Sequence, residues 1–139
     1  MAKVIAFNQK KKVFKLDELN SLVPVFLKVT NSAKTEADEL LNQLYSLTDV
    51  APGSDLAKSL EAEIDRIIIS WQTKIEKLGG KTKGLWLADF DSGDGYYCWK
   101  YPEEKINFWH KYSEGFTGRI PIEQKPKHLD IVPSLDPQL

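Results

Sequence analysis

The sequence has a single cysteine, no long apolar run and almost no net charge. One cysteine, Cys98, excludes an internal disulfide and any zinc site built from several cysteines, and it is typical of a reducing compartment. The first apolar run, Val4 to Phe7, is too short for the core of a signal peptide. No stretch approaches the ~20 apolar residues that a membrane span needs. We therefore expect a cytoplasmic protein that does not associate with membranes.

The charge balance argues against nucleic acid as a partner. The net charge is −1 and the sequence pI is about 6.1, so the chain lacks the basic excess of nucleic-acid-binding domains. The longest basic run, Lys10 to Lys12, is typical of a solvated turn. With 139 residues, the chain is long enough for one hydrophobic core. We expect a single domain over residues 1–127 and an irregular, proline-containing tail over residues 128–139.

Helical periodicity dominates the first half of the chain. Pro24 interrupts the first apolar pattern, so the sequence predicts one or two turns at 16–22 and then a long helix with Pro24 in its first turn. A second helix is predicted from about Leu56 to Leu78, with Ser54 or Asp55 as its cap. A short turn joins the two helices, which should therefore pack as an antiparallel hairpin with both apolar stripes buried.

The second half of the chain changes character and is rich in aromatic residues. Short strands are expected within residues 3–14, 84–90 and 95–101, and a third extended piece at 106–109. Ten of the fifteen aromatic residues lie between Trp86 and Phe116, where large side chains would fill the space between a sheet and the helices. The predicted fold class is α+β, with the two-helix hairpin packed on a small, mainly antiparallel, aromatic-rich sheet.

Three stretches resemble one protein family: "VFKLDELNSLVP", "EKLGGKTKGLWLADF" and "CWKYPEEKINFWHKYSEGFTGR". They are similar to the uncharacterised prokaryotic proteins of domain of unknown function family 2203. That family's Cys-Trp, Trp-His and Glu-Gly-Phe-x-Gly-Arg motifs occur here at residues 98–99, 109–110 and 114–119. The spacing between Gly84-Leu85 and Asp89-Phe90 is longer than in the family pattern. The resemblance covers residues 13–123 and implies no assigned activity.

Four residues are candidate metal ligands: Asp89, Cys98, His110 and Glu114. If the segment after Trp109 is helical, His110 and Glu114 lie four residues apart on one face. Cys98 and Asp89 lie on preceding strands, and a mixed Asp, Cys, His and Glu set would suit zinc. Nucleophilic chemistry at Cys98 is a further alternative. We favour a structural role, with a half-buried histidine hydrogen-bonded to a carboxylate in an aromatic wall.

A ligand pocket is the second hypothesis for the same stretch. It would be walled by Trp99 and Trp109, with His110, Glu114 and Arg119 converging on an anion or metal. The alternative, which we favour, is that Glu114 forms a partly buried bridge between His110 and Arg119.

Two classes of function remain open at this point. The preferred one is a non-enzymatic interaction module that binds another protein or self-associates through a helix face or the sheet. The alternative is a small-molecule or metal-binding protein, with or without enzymatic activity, that has its site at Asp89, Cys98, His110, Glu114 and Arg119. Zinc is the cofactor that the donor set would suit, although the structural reading is favoured over a metal site. Convergence of those five side chains on one cavity would favour the alternative.

Overall fold

The computed structural model describes residues 12–126, which form two long helices followed by a five-stranded sheet. The elements are α1 (Leu16–Thr48), α2 (Asp55–Lys77), β1 (Lys81–Gly84), β2 (Leu87–Asp91), β3 (Tyr96–Lys100), β4 (Phe108–His110) and β5 (Ile120–Pro121). The strands pair antiparallel in chain order, so the sheet is a meander. The predicted α+β class is therefore confirmed. The strand predicted near residue 5 and the tail predicted from residue 128 lie outside the described residues.

The first helix is continuous through Pro24, which corrects the prediction of a break at that residue. Proline has no amide hydrogen for the carbonyl of Asn20 and would cost about 3 kcal/mol in an isolated helix. Leu19, Val23 and Phe26 flank the proline and are fully buried. Each such burial contributes about 1.5–3 kcal/mol, so tertiary packing offsets the local cost.

The second helix and its ends follow the local sequence signals. The Ser54 side chain caps the helix by accepting a hydrogen bond of 3.1 Å from the amide of Ala57, as expected for a serine at that position. Gly79 ends it with a φ of 102°, in the left-handed region where a Cβ is strained. Inside the hairpin, the Trp71 indole donates a buried hydrogen bond of 2.8 Å to Thr30 Oγ1, which ties the two helices together.

The apolar stripes are fully buried only along part of their length. The core cluster that joins helices and sheet includes α1 residues up to Ala33 and α2 residues from Ile67 onward. Nearer the turn, Leu44 is half-buried and Leu56 is exposed. The prediction of continuous burial along both stripes is therefore wrong for the end of the hairpin near the turn. At that end the two helices contact each other, but the described core cluster does not reach them.

The strand boundaries differ from the predicted ones at two places. The segment 84–90 was expected as one strand, but it contains a turn at Leu85 and Trp86, where Trp86 has a φ of 66°. β1 precedes that turn, and its pairing with β2 shifts register between Thr82 and Gly84. Residues 12–15 are not a strand, although the amide of Phe14 donates a hydrogen bond of 2.8 Å to the carbonyl of Asp91.

Side chains alternate between the two faces of the sheet. The inner face packs on the helices and holds large aromatic residues, which include Phe90, Tyr97, Trp99 and Trp109. Phe26 of α1 stacks on Phe90, with ring centroids 4.7 Å apart. This inner face is the aromatic cluster that the sequence predicts. The intervening residues of the same strands project to the outer face, away from the helices.

The β2–β3 turn is tied to the last described segment of the chain. Ser92 donates hydrogen bonds within the turn, and Lys125 reaches back to Asp94 at 2.7 Å. Partial burial opposes ionisation of Asp94, but the hydrogen bonds from Lys125 and Ser92 outweigh it and hold the pKa of that carboxyl below its ordinary 3.8.

Across residues 12–126, no helix is both long enough and apolar enough to cross a bilayer.

Phe26→Ala is expected to lower the free energy of unfolding by about 3–5 kcal/mol, because it leaves a cavity beneath the sheet. The neighbouring Val25 is 41% exposed, so Val25→Ala is the matched control and should cost about 0.5 kcal/mol or less. Urea unfolding followed by circular dichroism measures both values. Equal, small effects would contradict the position of Phe26 at the helix–sheet interface.

The Asp94–Lys125 ion pair should make stability depend on pH. Because the pKa of Asp94 is lower in the folded state, its contribution is present above the unfolded value and is lost as the pH falls through the folded value. Lys125→Met should therefore flatten the fall in the free energy of unfolding as the pH drops through and below 3.8. The difference should be less than about 1 kcal/mol, because solvent still reaches the two side chains, which are 21% and 23% exposed. Lys105→Met is the control, and an identical pH profile for both variants would refute the coupling.

Candidate functional site

Three potential metal ligands converge on the outer face of the sheet. Asp89 on β2 is the direct cross-strand partner of Cys98 on β3, and His110 on β4 pairs with Tyr96, two residues from Cys98. Each lies next to a residue of the aromatic inner face, so strand alternation turns all three toward the outer face. One ligand atom from each lies within 4.8 Å of the other two. We refer to Asp89, Cys98 and His110 as the outer-face cluster.

The outer-face cluster is closed to solvent. Asp89 is 2% exposed, and Cys98 and His110 are both 0% exposed. Tyr96 lies against the His110 ring at 5.7 Å between ring centroids, and Tyr112 packs edge-on against Tyr96 at 5.1 Å. The segment after β4 therefore covers polar side chains that a sheet of this size would otherwise expose on its outer face.

The hydrogen bonds of His110 define which of its ring nitrogens carries hydrogen. Nδ1 lies 2.8 Å from the backbone carbonyl of Lys111, which can only accept, so Nδ1 is a donor. Nε2 lies 3.1 Å from Asp89 Oδ1, a second acceptor when the carboxylate is ionised. A neutral imidazole has one N–H, so the Nε2–Oδ1 contact requires a further proton or a cation. The other carboxylate atom, Oδ2, is buried with no hydrogen-bond partner in the described part of the chain.

Cys98 is not placed as a nucleophile. Burial, together with the Asp89 carboxylate, raises the pKa of the Cys98 thiol to about 12, and the opposing effect of Arg119 is smaller. A thiol with that pKa is protonated near neutral pH, and nucleophilic attack requires the thiolate. With the side chain also inaccessible, the nucleophilic alternative for Cys98 is not supported.

Arg119 lies beside the cluster in an aromatic clamp. Its guanidinium lies 3.9 Å from the ring centroid of Phe108 and 4.4 Å from that of Phe116. It donates to both carboxylate oxygens of Glu103, at 2.8 and 3.3 Å, and its NH1 group lies 3.9 Å from the Cys98 sulfur. The ion pair with Glu103 neutralises the guanidinium next to the cluster.

The remaining predicted site residues lie elsewhere. Trp99 and Trp109 belong to the inner-face core, so they do not wall a pocket above His110. Glu114 is exposed and accepts a hydrogen bond of 3.3 Å from the amide of Lys111, in a turn rather than a helix. Because His110 pairs with Asp89 and Arg119 pairs with Glu103, the predicted Glu114 bridge is wrong. The structure thus brings together three of the four metal candidates.

The sequence contains a signal for the meeting of His110 with Asp89 and Cys98, in place of the predicted pairing of His110 with Glu114. Asp89, Cys98 and His110 each lie next to a large aromatic residue in a strand, so a period of two places all three on the opposite face. The helical period predicted after Trp109 paired His110 with Glu114 instead. The partner of Arg119 had no such signal, because Glu103 follows a turn whose path the local sequence does not determine.

A second candidate surface is the end of the helical hairpin farthest from the sheet. Residues 34–66, which we call the distal hairpin, contain eight acidic and three basic residues, a net charge of −5 in a chain whose total is −1. Three large apolar side chains near its turn are exposed: Tyr45 by 64%, Val50 by 81% and Leu56 by 58%. The acidic excess together with these exposed apolar groups makes the distal hairpin a candidate binding surface.

Comparison with known proteins identifies a family. A family model described as an uncharacterized conserved protein, DUF2203, matches residues 12–122, which include both the outer-face cluster and the distal hairpin. Neither the curated proteins nor the solved structures contain a match to the chain.

The burial of Cys98 predicts low thiol reactivity in the folded protein. At pH 8, a disulfide reagent such as Ellman's should label the native thiol only at the rate of local or global opening, and it should label the denatured chain at once. Release of thionitrobenzoate, followed by absorbance with and without guanidinium, measures the ratio. Rapid stoichiometric labelling of the native protein would contradict the closed geometry and the raised pKa.

Proposed function

The chain belongs to the family of uncharacterized conserved proteins DUF2203, and we propose that it is a non-enzymatic interaction module. The distal hairpin is its binding surface, and the partner is a basic, amphipathic helical segment of another protein. The observation that carries this proposal is the separation of charge: a net −5 lies in residues 34–66, beyond the core cluster that joins helices and sheet.

The charge of the distal hairpin favours a basic partner over a second copy of the chain. Two copies meeting through this end would bring two acidic surfaces within one Debye length, about 8 Å at physiological salt, and repel each other. A helix with lysine or arginine on one face and aliphatic residues on the other complements both features. Its apolar face would cover Tyr45, Val50 and Leu56, and its basic face would meet the acidic side chains.

Binding is supported over catalysis by the state of the polar groups. The thiol at Cys98 is buried and has a raised pKa, and Arg119 is occupied by Glu103. Glu114, the fifth residue of the enzymatic alternative, lies apart from the outer-face cluster. The five side chains of that alternative therefore do not form the open, convergent set that a small-molecule active site needs. They are Asp89, Cys98, His110, Glu114 and Arg119.

A synthetic amphipathic helix of lysine and leucine tests the proposal, with a glutamate and leucine helix as its charge-reversed counterpart. Titration calorimetry should detect binding of the basic peptide only, with an affinity that falls as salt increases. Neutralising three exposed carboxylates of the distal hairpin, by Glu39→Gln, Glu61→Gln and Asp65→Asn, should weaken binding by about tenfold or more.

The matched control neutralises three exposed carboxylates elsewhere, by Glu76→Gln, Glu104→Gln and Glu123→Gln, and should leave the affinity within about twofold. A second comparison pairs Leu56→Ser with Leu85→Ser, since both leucines are more than half exposed but only Leu56 lies on the distal hairpin. Equal effects of the two triple variants would refute the proposed surface. A stable dimer in light scattering that Leu56→Ser dissociates would show that a second copy is the partner, and would also refute the proposal.

A further inference from the structure

Two features of the outer-face cluster are unexplained by hydrogen bonding within the described chain. Within residues 12–126, Asp89 Oδ2 is buried without a hydrogen-bond partner, although an unpaired buried carboxylate oxygen costs free energy. The contact of 3.1 Å between His110 Nε2 and Asp89 Oδ1 brings together two atoms that both carry lone pairs when Nδ1 holds the single imidazole hydrogen. Both features are resolved by one cation placed between the three side chains.

The geometry points to a zinc site, and we propose that Asp89, Cys98 and His110 bind one Zn²⁺ ion. The donors are a carboxylate oxygen, a sulfur and an imidazole nitrogen, the set that a borderline ion such as zinc accepts. A tetrahedral ion with bonds of about 2.0–2.3 Å holds its ligand atoms about 3.3–3.5 Å apart. The cluster atoms all lie within 4.8 Å of one another, so small side-chain adjustments bring them into that range.

The surroundings of the three ligands match those of metal sites. A histidine that binds metal through one nitrogen commonly donates its other N–H to a carbonyl, and His110 Nδ1 has that bond to Lys111. The complex of Zn²⁺ with one carboxylate, one thiolate and a neutral imidazole has no net charge, and this reduces the free-energy cost of burying it. Arg119 NH1, 3.9 Å from Cys98 Sγ, can donate to the bound thiolate, while Glu103 neutralises its charge.

The three ligands leave one coordination position for a water molecule or a small anion. The cluster is nearly inaccessible, so exchange at this position requires movement of the covering segment that carries Tyr112. The site thus pins β2, β3 and β4 together on the face opposite the helices, and it is independent of the distal hairpin. Failure of one proposal would leave the other standing.

Cobalt substitution tests the site in the full-length chain, purified without a histidine tag and treated with chelator. Titration with Co²⁺ should give one equivalent, with visible bands of a four-coordinate ion and a near-ultraviolet thiolate-to-cobalt band. Cys98 is the only cysteine in the chain, so that band has one possible source. Competition with Zn²⁺ should abolish both sets of bands, and Zn²⁺ should raise the Tm of the metal-free protein.

Matched variants distinguish the cluster from other donors. Cys98→Ser should remove the near-ultraviolet band, and Asp89→Asn should weaken zinc binding by more than the about 10–100-fold typical of losing an outer-shell partner. Glu114→Gln and His128→Asn, which remove the fourth predicted metal ligand and the chain's other histidine, should leave binding unchanged.

Folding of the ligand variants is not required for a decision, because the wild-type protein already gives a result. Absence of the thiolate–cobalt band together with an unchanged Tm in zinc would overturn the proposal and would assign the Asp89–His110 contact to a buried, proton-sharing pair. Binding that survives Cys98→Ser and Asp89→Asn but is lost in His128→Asn would overturn it as well.

Discussion

The two-residue period of strands β2, β3 and β4 is the constraint on which the rest of this structure depends. It sends Phe90, Trp99 and Trp109 to the helices and Asp89, Cys98 and His110 to the opposite face. A shift of one residue in register would reverse both sets, burying carboxylates against the helices and exposing the indoles. The aromatic core and the polar cluster are therefore two results of one alternation, and neither can change register without the other.

The outer face shows how a small protein keeps polar groups on a sheet away from water. The segment that follows β4 lies over these polar groups. Its Tyr112 hydroxyl donates a hydrogen bond to Asp91, and the Arg119 guanidinium lies between the rings of Phe108 and Phe116. The hydrogen bond to Asp91 raises the pKa of Tyr112 to about 12, so the hydroxyl stays a donor through the physiological range. A covering segment anchored by such contacts supplies the low-dielectric environment in which a charge-neutral ion site is stable and an isolated thiolate is not.

The helical hairpin extends past the part of the sheet that covers it, and this divides the molecule by physical role. Near the sheet, Phe26 and Trp71 are fully buried and fix the helices in place. Beyond Ala33 and before Ile67, the helices contact each other only along one stripe, and their other faces carry the acidic excess. The distal hairpin does not contribute to the core cluster, so its surface residues are not constrained by packing against the sheet.

The sequence by itself determined what depends on local periodicity and capping. It predicted both helices, a cap at Ser54 or Asp55 for α2 and the aromatic face of the sheet, because each is specified by neighbouring residues. It also singled out Cys98 and His110, since rare residue types stand out in composition. It added Asp89 from the preceding strand and Glu114, which proved to be separate. Local sequence could not determine which of these side chains meet.

Only the tertiary structure decided the partners, because they depend on long-range packing. Burial of Val23 and Phe26 kept α1 continuous through Pro24, against the local preference of proline. The register of β3 with β4 brought His110 to Asp89, 21 residues away. The path of the chain after β3 placed Glu103 where it forms an ion pair with Arg119. Contacts of this kind are fixed by how whole elements pack, and the free energy that selects them is not contained in any single segment.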